Sequence, residues 1–446
     1  MAEVLPFQGL RYNSDKIKNI SDVVTPPYDV ISDKDRDAFY RRHPNSIIRL
    51  DKGRPATTDT GADNIYTRAA AYLADWRKNR VLVQDPEPGF YLTSLKFDVD
   101  GRAMDRYGLV GRVKIEPFDK GTVLPHETTF SKVKTERLSL IKACHANFSP
   151  IFSIFSDETG IMGWLKAYAA SMPPEYDFTD DAGHRHQLWR ILEPDMLRKI
   201  SGVFKGKPLF IADGHHRYET ALNYKKWLME TGTGVSDDHP ASYAMMYLCA
   251  MQDPGLVILP THRLVTSVAE NSRKAFMEAA ARFFDMEAFP FDPADIINTQ
   301  RQFRQAMTAA PGEHKIGVFM KDHLEFMILR LRPGMMDQVF GNEIDALLKE
   351  LDVTVLTRLI LGKLLGFTDA MLDDETVISF TSKDVKAIAA ITTGAHDMAF
   401  MLNPTTSRQV QAIAEKGLIM PRKSTYYFPK AISGLVMRSL NSGSKG

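Results

Sequence analysis

Single hydrophobic cores stop growing at roughly 250 to 300 residues, so a chain of 446 residues has to divide its interior. Two or three domains are expected. Hydrophobic residues make up 44% of the chain and charged residues 25%, enough to fill such interiors and outside the range of collagen, coiled coils or disordered tails. Basic and acidic residues number 56 and 55, leaving +1, and no block of five like charges occurs. A duplex-binding protein usually carries a basic excess or stripe, so nucleic acid is disfavoured as the main partner. The longest apolar stretches, around 241–250 and 256–260, are interrupted by Gln252, Asp253, Pro254 and Gly255, too soon for a spanning helix. The N-terminus lacks a basic segment leading into an apolar one, so neither a secretory signal nor an anchor is expected. Cys144 and Cys249 lie far apart without a CxxC motif, which fits a reducing cytoplasm.

The pattern along the chain mixes strand and helix periods. Pro26-Pro27 forces extended or turn backbone and places Tyr28-Asp29 in a loop. Residues 64–78 predict an amphipathic helix with Ile65, Ala69, Tyr72, Leu73 and Trp76 on one face. Residues 90–99 and 107–115, joined through Asp100-Gly101, predict a hairpin. The run 147–155 is apolar, and 208–212 is a short apolar strand leading to a helix that carries Tyr218, Ala221, Leu222 and Lys225. From residue 273 the order becomes helix 273–284, strand 286–291, helix 294–309 and strands 314–321 and 324–331, a small α+β subdomain. A helical stretch 342–365 precedes a strand at 398–402, a helix at 407–416 and extended chain at 426–428.

Three loops carry residue types suited to chemistry. Between strand and helix lies Asp213-Gly214-His215-His216-Arg217. A helix N-terminus offers unpaired amides and partial positive charge, and glycine lets backbone approach closely, so a phosphate could sit there with help from Arg217 and the imidazoles. The alternative is that Asp213 caps the helix and the histidines are surface residues. Adjacent histidines on a helix point about 100° apart, unlike the i, i+4 pair that shares one zinc. The second loop, His126-Glu127-Thr128, is followed by Lys132, Lys134, Glu136 and Arg137. Glu127 offers a general base or Mg²⁺ ligand and the cations offer phosphate neutralisation; a solvated polar loop is the plainer reading. The third, Lys423-Ser424-Thr425, sits in a proline-bracketed aromatic run without the glycines of a P-loop. It reads equally as the polar rim of a C-terminal strand.

These residues also carry a resemblance. Pro26 to Ile31, His126-Glu127-Thr128, Asn147 to Phe152, Ile211 to Thr220, Pro260 to Arg263 and Met420 to Thr425 resemble, in order, the signatures of the family called domain of unknown function 1015. The six motifs span nearly the whole chain; Arg422 stands where a polar residue, often Gln, is expected. The Asp-Gly-His-His-Arg element further resembles the phosphate-binding turn of the ParB/sulfiredoxin-like superfamily, which includes kinases acting on free L-serine. The long segment between residues 32 and 205 departs from that superfamily's compact members.

The resemblance implies an α/β (α+β) fold: a ParB/sulfiredoxin-like nucleotide-binding core with a large insertion over residues 1–265, a small α+β subdomain over 266–340, and a C-terminal segment 341–446 returning to the core. It implies that Asp213 to Arg217 bind nucleotide phosphates and that Glu127 or Asp29 serves a substrate hydroxyl. The expected catalytic set is therefore Glu127, Asp213, His126 and Asp29; the expected nucleotide set is Gly214, His215, His216, Arg217, Lys132, Lys423, Ser424 and Thr425. The expected activity is phosphoryl transfer from ATP or ADP, with Mg²⁺, to free serine or a similar hydroxy amino acid. Phosphoryl transfer needs cations, backbone donors and an orienting carboxylate, which these loops contain. Two rivals remain: a metal-dependent hydrolase using His126, Glu127, His215 and His216, and a non-enzymatic nucleotide-responsive binding module.

Overall fold

The computed structural model describes residues 2–441 apart from 130, 233, 291–293, 310–311 and 322. The chain forms two compact units, one of Met1–Val257 with Pro429–Gly446 and one of Ile258–Phe428. The architecture is mixed α/β, with a large mixed sheet in the first unit.

In chain order, the first unit's sheet contains β1 (Val4–Leu5), β2 (Phe90–Val99), β3 (Arg102–Lys114), β4 (Val123–Leu124), β5 (Ile151–Phe155), β6 (Tyr176–Thr179), β7 (Arg185–Ile191), β8 (Leu209–Asp213) and β9 (Tyr243–Ala250). Its order is β4-β8-β5-β9-β3-β2-β7-β6, with β1 beside β3. The β4–β8 and β5–β9 pairs are parallel; the other neighbours are antiparallel. Strands β5 and β9 are buried along their whole length, as their nearly unbroken apolar sequences require. The β2–β3 hairpin turns at Asp100 and Gly101, whose φ values of 52° and 77° match the Asp-Gly signal; β3 begins five residues earlier than the expected strand at 107.

Helices in this unit include α1 (Ile65–Lys78), α2 (Ser131–Cys144), α3 (Ile161–Ser171), α4 (Pro194–Phe204) and α5 (His215–Glu230). Asn64 caps α1, and Ala69, Leu73 and Trp76 form its buried face, as the spacing predicts. One sheet face, with Leu92, Leu109, Ile211, Met246 and Leu248, shares a core with Leu165 of α3, Phe204 of α4 and Tyr218 of α5. Side chains alternate across a sheet, so Thr93, Leu95, Val110 and Tyr247 occupy the other face, where Ile432, Leu435 and Val436 from the returning C-terminal segment meet them. Met437 pairs with Leu10 and Arg438 with Asn147, tying that segment into the unit.

The second unit is built on a six-stranded sheet of β10 (His262–Val265), β11 (Phe284–Pro290), β12 (Lys315–Met320), β13 (His323–Leu331), β14 (Ile378–Thr381) and β15 (Met398–Leu402), in the order β11-β13-β12-β15-β10-β14. Helices α6 (Glu270–Ala280), α7 (Ile296–Thr308), α8 (Asp384–Thr392) and α9 (Ser407–Glu415) accompany it. This redraws the three-segment division. Strand β10, which precedes residue 266, and strands β14 and β15, which follow residue 341, pair in one sheet with the expected subdomain, so only 429–446 returns to the first unit. The stretch 342–365 is also not one helix but short turns Ala346–Lys349 and Asp352–Thr354 followed by a π-helical segment Val355–Leu364. Residue 291, at the end of the strand expected over 286–291, lies outside the described residues, as does most of the tail 441–446.

Candidate active site

Strand β8 ends at Asp213 after a bulge that shifts its register against β5 between Ile211 and Asp213. Bulges re-aim side chains, and here one falls immediately before the carboxylate. Gly214 follows with φ +98°, a conformation that glycine adopts without strain, and starts α5 without a side-chain cap. Asp213 is therefore not the N-cap. Its Oδ2 accepts from Arg217 Nη2 at 2.5 Å, and its Oδ1 accepts from Lys430 Nζ. Burial alone would raise this carboxyl; the charges of Lys430 and Arg217 outweigh it and hold Asp213 well below the ordinary carboxylate range.

Arg217 is correspondingly committed. Its Nη1 donates to Ser149 Oγ at 3.1 Å and to the Pro150 carbonyl, while its guanidinium folds over Gly214, where a Cβ would lie 2.9 Å from Nε. Instead of projecting into solvent as the expected phosphate hand, Arg217 joins the strand end to the β5 entry. The first-turn amides of α5 keep the dipole's positive end at the same turn.

The histidines do not form a surface cluster. His126 and His215 are 0% and 4% exposed, with rings edge to face at 4.7 Å. The His126 amide donates to His215 Nε2 at 3.2 Å, which makes that nitrogen an acceptor and places the ring proton on Nδ1. Desolvation pushes His126 down to about 4 despite a hydrogen bond with the Ile211 backbone, and pushes His215 far below its usual value. Both rings are thus neutral, and His215 Nε2 is engaged in joining two loops. Among the described residues no group of three or more His, Cys, Asp or Glu side chains is arranged to hold a metal ion. This geometry removes the support for a hydrolase centre on His126, Glu127, His215 and His216. His216 is half-buried in the first turn of α5, and Glu127 is half-buried next to His126.

Asp29 lies in a 3-10 turn, Tyr28–Val30, held by Lys52 Nζ, which donates to the Tyr28 and Ile31 carbonyls. The residue is exposed. Desolvation by the surrounding protein and the charge of Asp213 raise its pKa, with Lys430 and Arg217 opposing. Two carboxylates influenced by the same pair of cations are thereby pushed in opposite directions.

Two clefts flank this cluster. The first is mainly apolar and is lined by Leu95, Val110, Tyr247 and Val436, with Arg106 and Lys430 among its polar walls. Arg106 is buried beneath it, with Nε donating to Tyr247 Oη at 3.2 Å and Nη2 to the Pro429 carbonyl at 2.6 Å. The second is lined by Tyr28, Asp51, Arg137, Ser149, Arg217 and Thr220. Arg137 lies 4.0 Å over the Tyr28 ring and donates from Nη1 to Asp51 Oδ1 at 3.0 Å. Lys430 lines one cleft, Arg217 the other, and both hold Asp213.

The first unit thus gathers Asp29, His126, Glu127, Asp213, Gly214, His215, His216 and Arg217. Lys423, Ser424 and Thr425 belong to the second unit, where the Lys423 carbonyl accepts from Arg263 and Ser424 Oγ donates to the Pro421 carbonyl. Lys132 lies in α2, but its side chain is outside the described residues. Lys430 and Tyr28 carry no site role in the sequence expectations, and Arg137 enters them only as one of the cations offering phosphate neutralisation. All three sit in the quoted motifs or next to them, yet nothing local marks Lys430 as the partner of a carboxylate in another loop.

Fold and site define a two-unit mixed α/β protein with a charged turn at the end of a sheet strand. The chain belongs to the family described as protein of unknown function (DUF1015), whose pattern matches residues 4–354. No curated protein matches the sequence. Among solved structures, a conserved hypothetical protein from Pyrococcus furiosus is similar at 12% identity, covering 75% of this chain and 95% of its own, with a TM-score of 0.34. A free serine kinase mutant in complex with AMP is similar at 12% identity, with 72% and 86% covered and a TM-score of 0.34. A C-terminally truncated SbnI from Staphylococcus aureus gives 12%, 73%, 81% and 0.31. Overlaps this slight transfer no activity. No described helix is long and apolar enough to cross a membrane.

Proposed function

We propose that the protein is a small-molecule kinase that moves a phosphoryl group from ATP or ADP to the hydroxyl of free serine or a similar amino acid. The observation that carries this reading is that two clefts of different character meet at one ion cluster, Lys430 on one side and Arg217 on the other of Asp213. A transferase needs two ligands held end to end, with cations where charge passes between them. The first cleft, with Tyr247 and His186 on its walls, suits a nucleoside, and the second, with Asp51, Arg137 and Arg217 on its walls, suits a small charged acceptor. The ParB/sulfiredoxin-like reading of the first unit rests on the Asp213–Arg217 turn, with the amides of α5 facing phosphate oxygens.

In this reading Asp29, raised by desolvation and Asp213, accepts the hydroxyl proton, and Glu127 is the competing carboxylate. Asp213 positions Lys430 and Arg217, while His126 and His215 order the turn. Mg²⁺ commonly keeps several waters and binds through one or two carboxylates plus substrate phosphates. The donor set fits that mode, with Asp29 or Glu127 as the protein ligand; Asp213 is already occupied by two cations. The ion would neutralise phosphate charge.

The test is incubation of the purified protein with ATP or ADP, Mg²⁺ and a pool of hydroxy amino acids, read by mass spectrometry. A phosphorylated amino acid formed in step with nucleotide loss supports the reading. Nucleotide hydrolysed with every acceptor unmodified, or no turnover with either nucleotide, removes it.

A further inference from the structure

Three polar atoms of residues lining the second cleft are buried without a hydrogen-bond partner among the described residues: Arg137 Nε, Arg217 Nε and Thr220 Oγ1. Buried donors in folded proteins are nearly always paired, so three on one cleft point to a partner supplied from outside. Both guanidiniums are already oriented. Arg137 is held by Asp51 through Nη1 and by the face of Tyr28, and Arg217 by Asp213 through Nη2. Such bonds set the planes and leave the remaining N–H groups to a ligand.

The charge of the lining selects the ligand's class. Arg137 and Arg217 against Asp51 leave one net positive charge, which matches a monoanion. A phosphate dianion would be under-neutralised with Asp213 close behind Arg217. Leu140, Ile141, Ala221 and Met245 complete the walls and favour a small organic body over a hydrated inorganic ion.

We propose that this cleft binds the carboxylate of a small organic acid, and that it is the subsite that grips the α-carboxylate of the amino acid acceptor. The binding claim rests on the cleft alone; the role as acceptor subsite rests on the kinase reading.

Calorimetric titration of the full chain with L-serine, L-lactate and acetate, and separately with serinol and inorganic phosphate, tests it. At least one carboxylate is expected to bind, with serinol, which carries a hydroxymethyl group in place of the carboxylate of serine, at least tenfold weaker than serine. Thr220→Val, nearly isosteric, and Arg137→Gln are each expected to weaken carboxylate binding at least tenfold while AMP affinity stays within twofold. Serinol binding as tightly as serine, phosphate binding more tightly than any carboxylate, or full carboxylate affinity in a folded Thr220→Val or Arg137→Gln variant would overturn the subsite. Carboxylate binding that responds to both variants without phosphoryl transfer sinks the kinase reading alone. Phosphoryl transfer to serinol as fast as to serine sinks the carboxylate subsite alone.

Discussion

Lys430 and Asp213 stand 217 positions apart in the chain and form an ion pair in the first unit. The pair is mostly buried, at 12% and 13% side-chain exposure, and it closes the contact between the strand-end turn and the returning C-terminal segment. Removing Lys430 leaves the buried charge of Asp213 to Arg217 alone. Lys430→Met is therefore expected to destabilise the protein by about 3 kcal/mol in denaturant titration. The folded pKa of Asp213 lies below its unfolded value near 4. Its contribution is present above that value and is lost as pH falls towards the folded pKa; in the variant the folded pKa moves back towards the unfolded one, so the acid loss from this group should be smaller. Unchanged stability and an unchanged acid limb would show that the pair carries no weight.

The two buried imidazoles give a second acid dependence. An ordinary histidine titrates near 6.5, whereas His126 in the fold is pushed down to about 4. Below pH 6.5 the unfolded chain takes up the proton and the folded chain does not, so stability present above 6.5 drains as pH falls towards 4. For His126 alone this amounts to about 2 kcal/mol between pH 7 and pH 5. The midpoint of urea unfolding should fall over that interval, and less steeply in His126→Phe, which keeps the ring and removes the titration.

Gly214→Ala probes the turn itself. A non-glycine residue at φ +98° is strained, and the new Cβ would meet the Arg217 guanidinium. The expected loss is about 1–3 kcal/mol, read from the shift in Tm. A variant as stable as the parent would mean that the turn relaxes without difficulty and does not hold Arg217 in place.

The turn was legible in the sequence because its determinants are local: an apolar run, Asp-Gly, then helical spacing through Tyr218 and Ala221. The hairpin at Asp100-Gly101 and the helix capped by Asn64 were legible for the same reason. What Arg217 does was not, since its partners Ser149 and Pro150 lie on another strand's approach and the same residue suits either an anion or a carboxylate. The histidine pair misled because two adjacent imidazoles in a polar motif resemble a surface cluster, and only the pairing of β4 with β8 brings His126 over His215 and buries both. Domain limits failed at strands β10, β14 and β15, whose pairing spans more than a hundred residues and leaves no composition shift or linker.

Proton removal separates the two candidate bases. If Asp29 accepts the hydroxyl proton, activity falls as pH drops through its raised pKa, giving an acid limb above the ordinary carboxylate range. Asp29→Asn should reduce kcat by roughly 100-fold or more and abolish that limb, while Glu127→Gln keeps it. The reverse pattern of pH–rate profiles would move the base to Glu127.

The arrangement of two clefts around Asp213 is tested most directly by a crystal structure with a non-hydrolysable ATP analogue and L-serine. The nucleoside is expected in the apolar cleft against Tyr247, the terminal phosphate beside Lys430 and the α5 N-terminus, and serine in the cleft lined by Arg137 and Thr220. A nucleotide bound away from the first unit's two clefts, with the Lys430–Asp213 pair contacting neither ligand, would contradict it.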